Sequence, residues 1–421
     1  MRVLIVTQYF PPEAGAPQVR LAALARALQG LGAEVDVLTA MPNHPSGRIF
    51  DGYRRKAVAR ETTDGVRITR LAMYPALGSG LKRMVSYASF AAAAAAGLLV
   101  HRRPDLVLVE SPPPLVFPAA WLRARLWRAP VVLNVADLWP DTGVDIGAIR
   151  EGLVLRLLRG LERWCYRHAD AISVPTEGLA AALIGRKGVP AEKVTFLPNG
   201  VDTDRFSPEP ADPAVAAALA PHGEPVFLYA GTVGTAHGAE VAVRALALLR
   251  GSHPTARVAF MGGGSELGHV QDIVRAEGID GVDFLGVRQP DDVASALAVA
   301  VAGLATLRAG ESAQSTRLAK MFPPMACGRP LLFSGDGEGA DLVHAAGAAL
   351  VTPPGDAAAL SRSMAAVLDD AELAQQLGNS GRQLVLERFT WGAIVSDWLE
   401  DLARALGRPG RSHGSMKALR W

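Results

Sequence analysis

Short apolar runs of about five residues recur down this chain, and an amphipathic helical pattern separates most of them. Runs of that length between helices are the mark of parallel strands buried on both faces. They come in two series. The first reads as strands at Val3–Val6, Val35–Leu38, Leu106–Val109, Val131–Val135 and Ala171–Val174. Helices fall between them near Pro17–Leu31, Leu115–Trp127 and Leu153–His168, and Asp64-Gly65 marks a hairpin. A loop of linker composition, "LPNGVDTDRFSPEPADP", interrupts the pattern. The second series then opens with strands at Val226–Ala230, Arg257–Met261, Val282–Leu285, Val301–Ala305, Pro330–Phe333 and Ala349–Val351.

At 421 residues the chain exceeds what one hydrophobic core holds, so two domains are expected. The expected fold is α/β, two Rossmann-like doubly wound domains facing a cleft, with ligands at the carboxyl ends of the strands. The expected boundaries are 1–205 and 206–389, then a helix at 390–407 packing back on the first domain and a flexible tail at 408–421. Lys and Arg number 43 against 41 Asp and Glu, a balance that argues against nucleic acid as a partner. Two distant cysteines, Cys165 and Cys327, form neither a disulfide framework nor a zinc site, which fits a reducing cytosol. The N-terminal "MRVLIVTQYF" reads as a strand of the fold and lacks the form of a signal peptide. The segment Val85–Val100, "VSYASFAAAAAAGLLV", is short for a bilayer span and is flanked by Lys82, Arg83, Arg102 and Arg103. It reads as a small-residue core helix, or else as a face resting on a membrane surface.

The loops at the strand ends carry the candidate chemistry. Gly15 precedes the first helix, whose open N–H groups suit a phosphate or sugar. "YAGTVGTAHGAE" supplies Gly231, Thr232 and Gly234, and "MGGGSEL" supplies Gly262, Gly264 and Glu266. "SGDGEGADLV" places Gly337, Glu338 and Gly339 at a helix start, where an acid also serves as a capping partner. No Gly-Lys-Ser/Thr follows any of these loops, which argues against a nucleoside triphosphatase. In "STRLAKMFPPMACGRP", Arg317 and Lys320 stand three apart and would share one face of a helical turn toward a diphosphate. Pro323 lacks an N–H, so an irregular turn is expected over Ala319–Phe322, with the regular helix starting at Pro323 or Pro324.

Taken in order, several motifs resemble the retaining GT-B glycosyltransferases of family 4, and among them the bacterial amino-sugar (fucosamine-type) transferases of O-antigen and capsule assembly. They are "QYFPPEAGAPQVRLAALARALQGLGAEVDVLTA", "MPNHPSGRIFDGY", "PDLVLVESPPPLVFPAAW", "DLWPDTGVDIGAI", "LPNGVDTDRF", "MACGRPLLFSGDGEGADLV" and "ERFTWGAIVSDWLEDL". The resemblance implies transfer of a sugar from a nucleotide diphosphate to a hydroxyl with retention. No metal or cofactor is implied, and the donor is a UDP-sugar ahead of a dTDP- or GDP-sugar. The acceptor would be a glycan or a polyprenyl-linked sugar. The protein would be cytoplasmic and peripheral at the inner membrane face, contacting it through residues 82–103. Lys320 and Asp137 would be catalytic, and His44, Glu110 and Trp139 would bind acceptor.

The chain departs from the family pattern at several positions. The two donor-site glutamates that the family carries eight apart are Ser315 and Pro323 here. Ala136 stands where an Arg or His precedes the Asp-Leu-Trp-Pro run, and Thr232 and His237 replace an Arg and a Lys. These departures keep open a non-catalytic partner subunit of another transferase. A nucleotide-sugar epimerase of the same architecture is a further alternative.

Overall fold

The computed structural model describes residues 1–407 apart from 14, 45, 77–79, 146–148, 150–151 and 210–211; the expected tail at 408–421 lies outside the described residues. The chain separates into two compact units. Unit 1 comprises Met1–Pro198 with the segment from Trp391 onward, and unit 2 comprises Asn199–Thr390.

Unit 1 is built on β1 (Arg2–Val6), β2 (Glu34–Ala40), β3 (Val58–Thr63), β4 (Val66–Leu71), β5 (Leu106–Ser111), β6 (Val131–Val135), β7 (Ala171–Val174) and β8 (Val194–Phe196). They form one sheet in the order β3-β4-β2-β1-β5-β6-β7-β8, parallel except for the β3/β4 hairpin. That hairpin turns at Asp64 and Gly65, both at positive φ (50° and 77°), the backbone that a two-residue turn requires. Its helices are α1 (Ala16–Gly30), α2 (Leu81–Val100), α3 (Phe117–Trp127), α4 (Asp141–Asp145), α5 (Leu153–His168) and α6 (Glu177–Gly185). The central strands β1, β5 and β6 are almost wholly buried, as continuous Val/Leu/Ile runs demand, whereas the edge strand β3 is mostly exposed.

The alanine-rich segment is a helix of 20 residues, several longer than its apolar run. Length and composition alone would let it cross a membrane, but Phe90, Ala94 and Leu98 lie in the core of unit 1. A Cβ on Gly97 would stand 2.8 Å from Leu71 Cδ1, so the small residues serve close approach of α2 to the sheet. The terminal helix Trp391–Ala405 also belongs to unit 1. Its Trp398 is fully buried and donates from Nε1 to Ser173 Oγ on β7 at 2.7 Å.

Unit 2 carries β9 (Val226–Ala230), β10 (Arg257–Met261), β11 (Val282–Gly286), β12 (Ala302–Thr306), β13 (Leu331–Ser334) and β14 (Ala349–Thr352). All pair in parallel in the order β11-β10-β9-β12-β13-β14. The strand order reverses between β9 and β12, so their carboxyl ends flank a switch point. Helices α7 (Pro213–Leu219), α8 (Glu240–Leu249), α9 (Leu267–Glu277), α10 (Pro290–Val299), α11 (Phe322–Ala326), α12 (Glu338–Ala345), α13 (Ala357–Asp369) and α14 (Ala371–Arg388) complete it. Both sheets agree with the doubly wound α/β expectation, and the strand windows shift by about a residue at their ends. Short elements without a periodic signal, β8, α4 and α7 among them, were not foreseen.

Candidate functional site

In unit 2 the loop after β9 crosses the loop after β10 at backbone contact distance. A Cβ on Gly262 would lie 1.9 Å from the Gly231 carbonyl oxygen, and one on Gly264 would lie 2.2 Å from that of Val233. The crossing is tied by Gly231 N–H to Met261 O (2.9 Å) and Val233 N–H to Gly263 O (2.9 Å). Glycine at 262 and 264 is thus a packing requirement of the two loops.

Lys320 meets this crossing. Its Nζ donates to Tyr229 Oη at 2.6 Å and to the Thr232 carbonyl at 2.8 Å, and it stands 4.3 Å from the centroid of the Tyr229 ring. Thr232 therefore contributes its backbone carbonyl to this cluster, which Tyr229 Oη also reaches at 3.2 Å. Burial of the ammonium lowers Lys320 to about 7. Among the described residues no carboxylate compensates it, so an anion entering here gains a cation that the protein stabilises poorly by itself. His237 is pushed down to about 4, by burial first and by the Lys320 charge second. Its Nδ1 accepts from Gly234 N–H at 3.1 Å. The ring is neutral near pH 7 and does not supply the cation that a lysine at 237 would.

The stretch around Lys320 folds nearly as its prolines dictate. A 3-10 turn spans Ala319–Met321 and α11 begins at Phe322, one residue earlier than expected. Pro323 sits in the first helical turn, where a missing N–H costs little. The Pro324 ring packs on Gly303 of β12, where any Cβ would lie 2.4 Å from it. The pairing of Arg317 with Lys320 on one helical face does not occur, because residues 316–318 are not helical. Arg317 instead bonds Glu338 at the start of α12, Nε to Oε1 at 2.6 Å, and both side chains are largely buried. A Cβ on Gly337 would stand 2.6 Å from Ala313 O, and one on Gly339 would stand 3.0 Å from Thr316 O. Glu266, half-buried, accepts from Thr235 Oγ1 at 3.2 Å across the same pair of loops. A carboxylate oxygen of Asp336, beside Gly337, is buried without a hydrogen-bond partner. Sequence reasoning passed over Asp336, although an acid between glycines after β13 was a usable signal.

In unit 1 the carboxyl edge of the sheet holds a buried polar shell. Arg20 of α1 forms an ion pair with Glu110 of β5, and Asn134 Nδ2 donates to Glu110 Oε2 at 2.7 Å. Glu110 is thus a partner of Arg20 and Asn134 inside the unit. Burial raises its carboxyl despite these two neighbours. Gly15 makes room for a side chain: a Cβ there would lie 2.4 Å from Gln18 Oε1. It lies in unit 1, whereas the other donor-site candidates are in unit 2. Glu13, also overlooked, accepts from the N–H groups of Asn43 and His44 at 2.7 and 2.8 Å and so shapes the loop that carries His44. The His44 ring is half-buried and edge-on to Tyr9. Asp137 is half-buried, with Oδ1 accepting from Thr142 Oγ1 at 2.6 Å. Trp139 packs edge-on against Tyr87 of α2. Oxygen atoms of Gln8, Tyr9, Gln18 and Asn134 are buried without a partner. These residues were invisible as a group because they come from the loop after β1, helix α1 and strand β6.

Two doubly wound α/β units with glycine-lined loops and a cation at the strand ends define the two-domain class of GT-B glycosyltransferases. Residues 15–200 match the model of the glycosyl transferase 4-like domain, and residues 213–384 match that of the glycosyl transferases group 1. The 2-deoxystreptamine N-acetyl-D-glucosaminyltransferase of Streptomyces fradiae is 30% identical over 97% of this chain and 98% of its own. A protein of Escherichia coli K12 assigned to colanic acid biosynthesis as a glycosyl transferase is 27% identical over 69% of this chain and 73% of its own. Among solved structures, the Anabaena protein HepE in complex with UDP and glucose has a TM-score of 0.69 at 18% identity, over 95% of this chain and 99% of that one. The chain belongs to the family 4-type GT-B glycosyltransferases.

Proposed function

We propose that this glycosyltransferase moves a sugar from a nucleoside-diphosphate donor to an acceptor hydroxyl with retention, in assembly of a cell-surface polysaccharide or glycoconjugate. Unit 2 takes the donor and unit 1 the acceptor. The observation that carries this is Lys320, a poorly compensated ammonium fixed on Tyr229 and Thr232 at the Gly231–Gly262 crossing. Two of its three N–H groups engage protein; the third suits an oxygen of the pyrophosphate.

In the reaction the bond between the anomeric carbon and the diphosphate oxygen breaks, and a bond to the acceptor oxygen forms. The acceptor hydroxyl passes its proton to the departing diphosphate oxygen. Charge accumulates on the departing diphosphate, and a fixed cation in a partly dry site stabilises that state more than the ground state. The Gly231, Gly234, Gly262 and Gly264 loops line the approach. Asp137, His44 and Trp139 are proposed to orient the acceptor. Support for a UDP-sugar comes from the UDP and glucose bound to HepE, and support for a surface glycan from the colanic acid relative. A peripheral location at the inner membrane face is part of this proposal, with the exposed Val85, Leu99 and Val100 of α2 meeting the lipid. The 2-deoxystreptamine enzyme favours a second reading, in which the acceptor is a small aminocyclitol.

The test incubates the protein with UDP-, dTDP- and GDP-sugars and follows release of nucleoside diphosphate with glycan and aminocyclitol acceptors. One donor should be consumed, the product should keep the donor's anomeric configuration by NMR, and Lys320→Met should lower kcat at least a hundredfold. Silence with every donor, or full activity in Lys320→Met, refutes the proposal.

A further inference from the structure

The loop that joins β9 to α8 meets a cation at each of its ends. Lys320 takes the first end, through the Thr232 carbonyl. Arg308 takes the second. It stands two residues beyond β12, the strand beside β9 where the strand order reverses. Its backbone N–H donates to the Ala236 carbonyl at 2.9 Å. Its side-chain stem lies on Gly238, which is at a φ of 60° and where a Cβ would stand 2.8 Å from Arg308 Cγ. Nη2 donates to Glu240 Oε1 at 2.6 Å, on the first turn of α8. Between its ends the loop folds back on itself: His237 N–H donates to the Gly234 carbonyl at 2.9 Å, and Gly234 N–H donates to His237 Nδ1 at 3.1 Å. The fold brings the ends near enough for the Lys320 charge to act on the His237 ring, next to Gly238. The Arg308 side chain is 46% exposed and so is open to a ligand.

We infer that Arg308 and Lys320 together grip the diphosphate of the nucleotide sugar, one cation to each phosphoryl group. This rests on the reading of unit 2 as the donor unit. A diphosphate esterified at both ends carries a negative charge on each phosphoryl group, and Lys320 balances one of them. The neutral His237 ring adds nothing to that balance. The guanidinium supplies the second charge in a planar fork of five N–H donors, of which the Glu240 bond takes one. Glu240 holds this group in place before the donor arrives, which lowers the ordering cost of binding. A guanidinium also stays charged at pH values where the Lys320 amine is neutral, so part of the grip persists above pH 7.

The experiment titrates the full chain by calorimetry at pH 7 with UDP, dTDP and GDP, and follows the tightest of the three through a set of variants. Arg308→Gln keeps the methylene that lies on Gly238 and removes the charge. It should weaken binding about tenfold or more, the loss of a charge-assisted contact. Arg308→Lys restores the charge without the fork and should come back to within about fivefold of the native protein. Glu240→Gln leaves an acceptor for Nη2 and removes the competing charge, so binding should be unchanged or tighter. A thermal melt verifies that each variant is folded. If the ion pair only pins the loop to α8, Arg308→Gln and Glu240→Gln weaken binding alike, and the inference is overturned. Native affinity in Arg308→Gln overturns it as well, and a loss in Lys320→Met measured alongside leaves the donor reading standing. Absence of saturable binding of all three nucleotides by the native protein overturns the donor reading and this inference with it.

Discussion

Lys320 gives a proton-linked signature that depends on its surroundings. In the empty protein its ammonium titrates at about 7, through burial, against about 10.4 for a free lysine. At pH 8, about nine in ten molecules therefore hold a neutral amine. A bound pyrophosphate favours the charged form and raises the amine again. Binding of a nucleotide sugar, whose diphosphate is esterified at both ends, should then take up close to one proton at pH 8 and about half of one at pH 7. Affinity should fall about tenfold per unit above pH 7, or about 1.4 kcal/mol per unit. Lys320 as a whole residue is only partly buried, which makes these upper values. The assay is calorimetry in two buffers of unlike ionisation enthalpy, repeated at pH 6, 7, 8 and 9. Lys320→Met should bind weakly and without proton uptake. Uptake near zero at pH 8, with flat affinity to pH 9, would refute the reading of Lys320 as a buried, uncompensated ligand for the diphosphate. The same lysine affects stability with a defined sign. Between about pH 7 and 10.4 the unfolded chain holds a proton that the native amine lacks, so stability rises with pH across that window.

Three further outcomes follow from packing. Gly262→Ala puts a methyl against the Gly231 carbonyl and should cost about 2 kcal/mol or more, read as a fall of about 4–8 °C in the melting of unit 2; an unchanged melt would show that the loops do not cross this closely. Arg20→Met strands Glu110 in the core and should destabilise unit 1 by about 3–5 kcal/mol in urea, with Arg20→Met/Glu110→Gln recovering much of the loss. A double variant as unstable as the single one would show that charge is not the cause. Trp398→Ala should cost about 3–5 kcal/mol in unit 1 and Trp398→Phe about 1–2, so an unchanged stability in Trp398→Phe would assign no role to the bond with Ser173.

Much of the architecture was legible because buried parallel strands must be apolar at every position. Val131–Val135 and Val226–Ala230 appear in the structure at their expected windows. Pro323 likewise announced the start of α11 through its missing N–H. The candidate site was legible only as loops. Glycines 231, 262 and 264 were readable as small residues at strand ends, yet their cause, two backbones crossing, needed both loops in space. The spacing of Arg317 and Lys320 suggested one cationic face, but spacing has that meaning only on a helix, and residues 316–318 are not one.

By itself, then, the order of apolar runs and breakers determined two α/β units and the place of their strand ends, because periodicity and chain stiffness are local properties. Tertiary structure alone decided which charges are satisfied. Glu338 is spoken for by Arg317 and Glu110 by Arg20, while among the described residues Lys320 finds a phenol and a carbonyl. Desolvation and pairing depend on what surrounds a group from distant parts of the chain, and no local pattern encodes that.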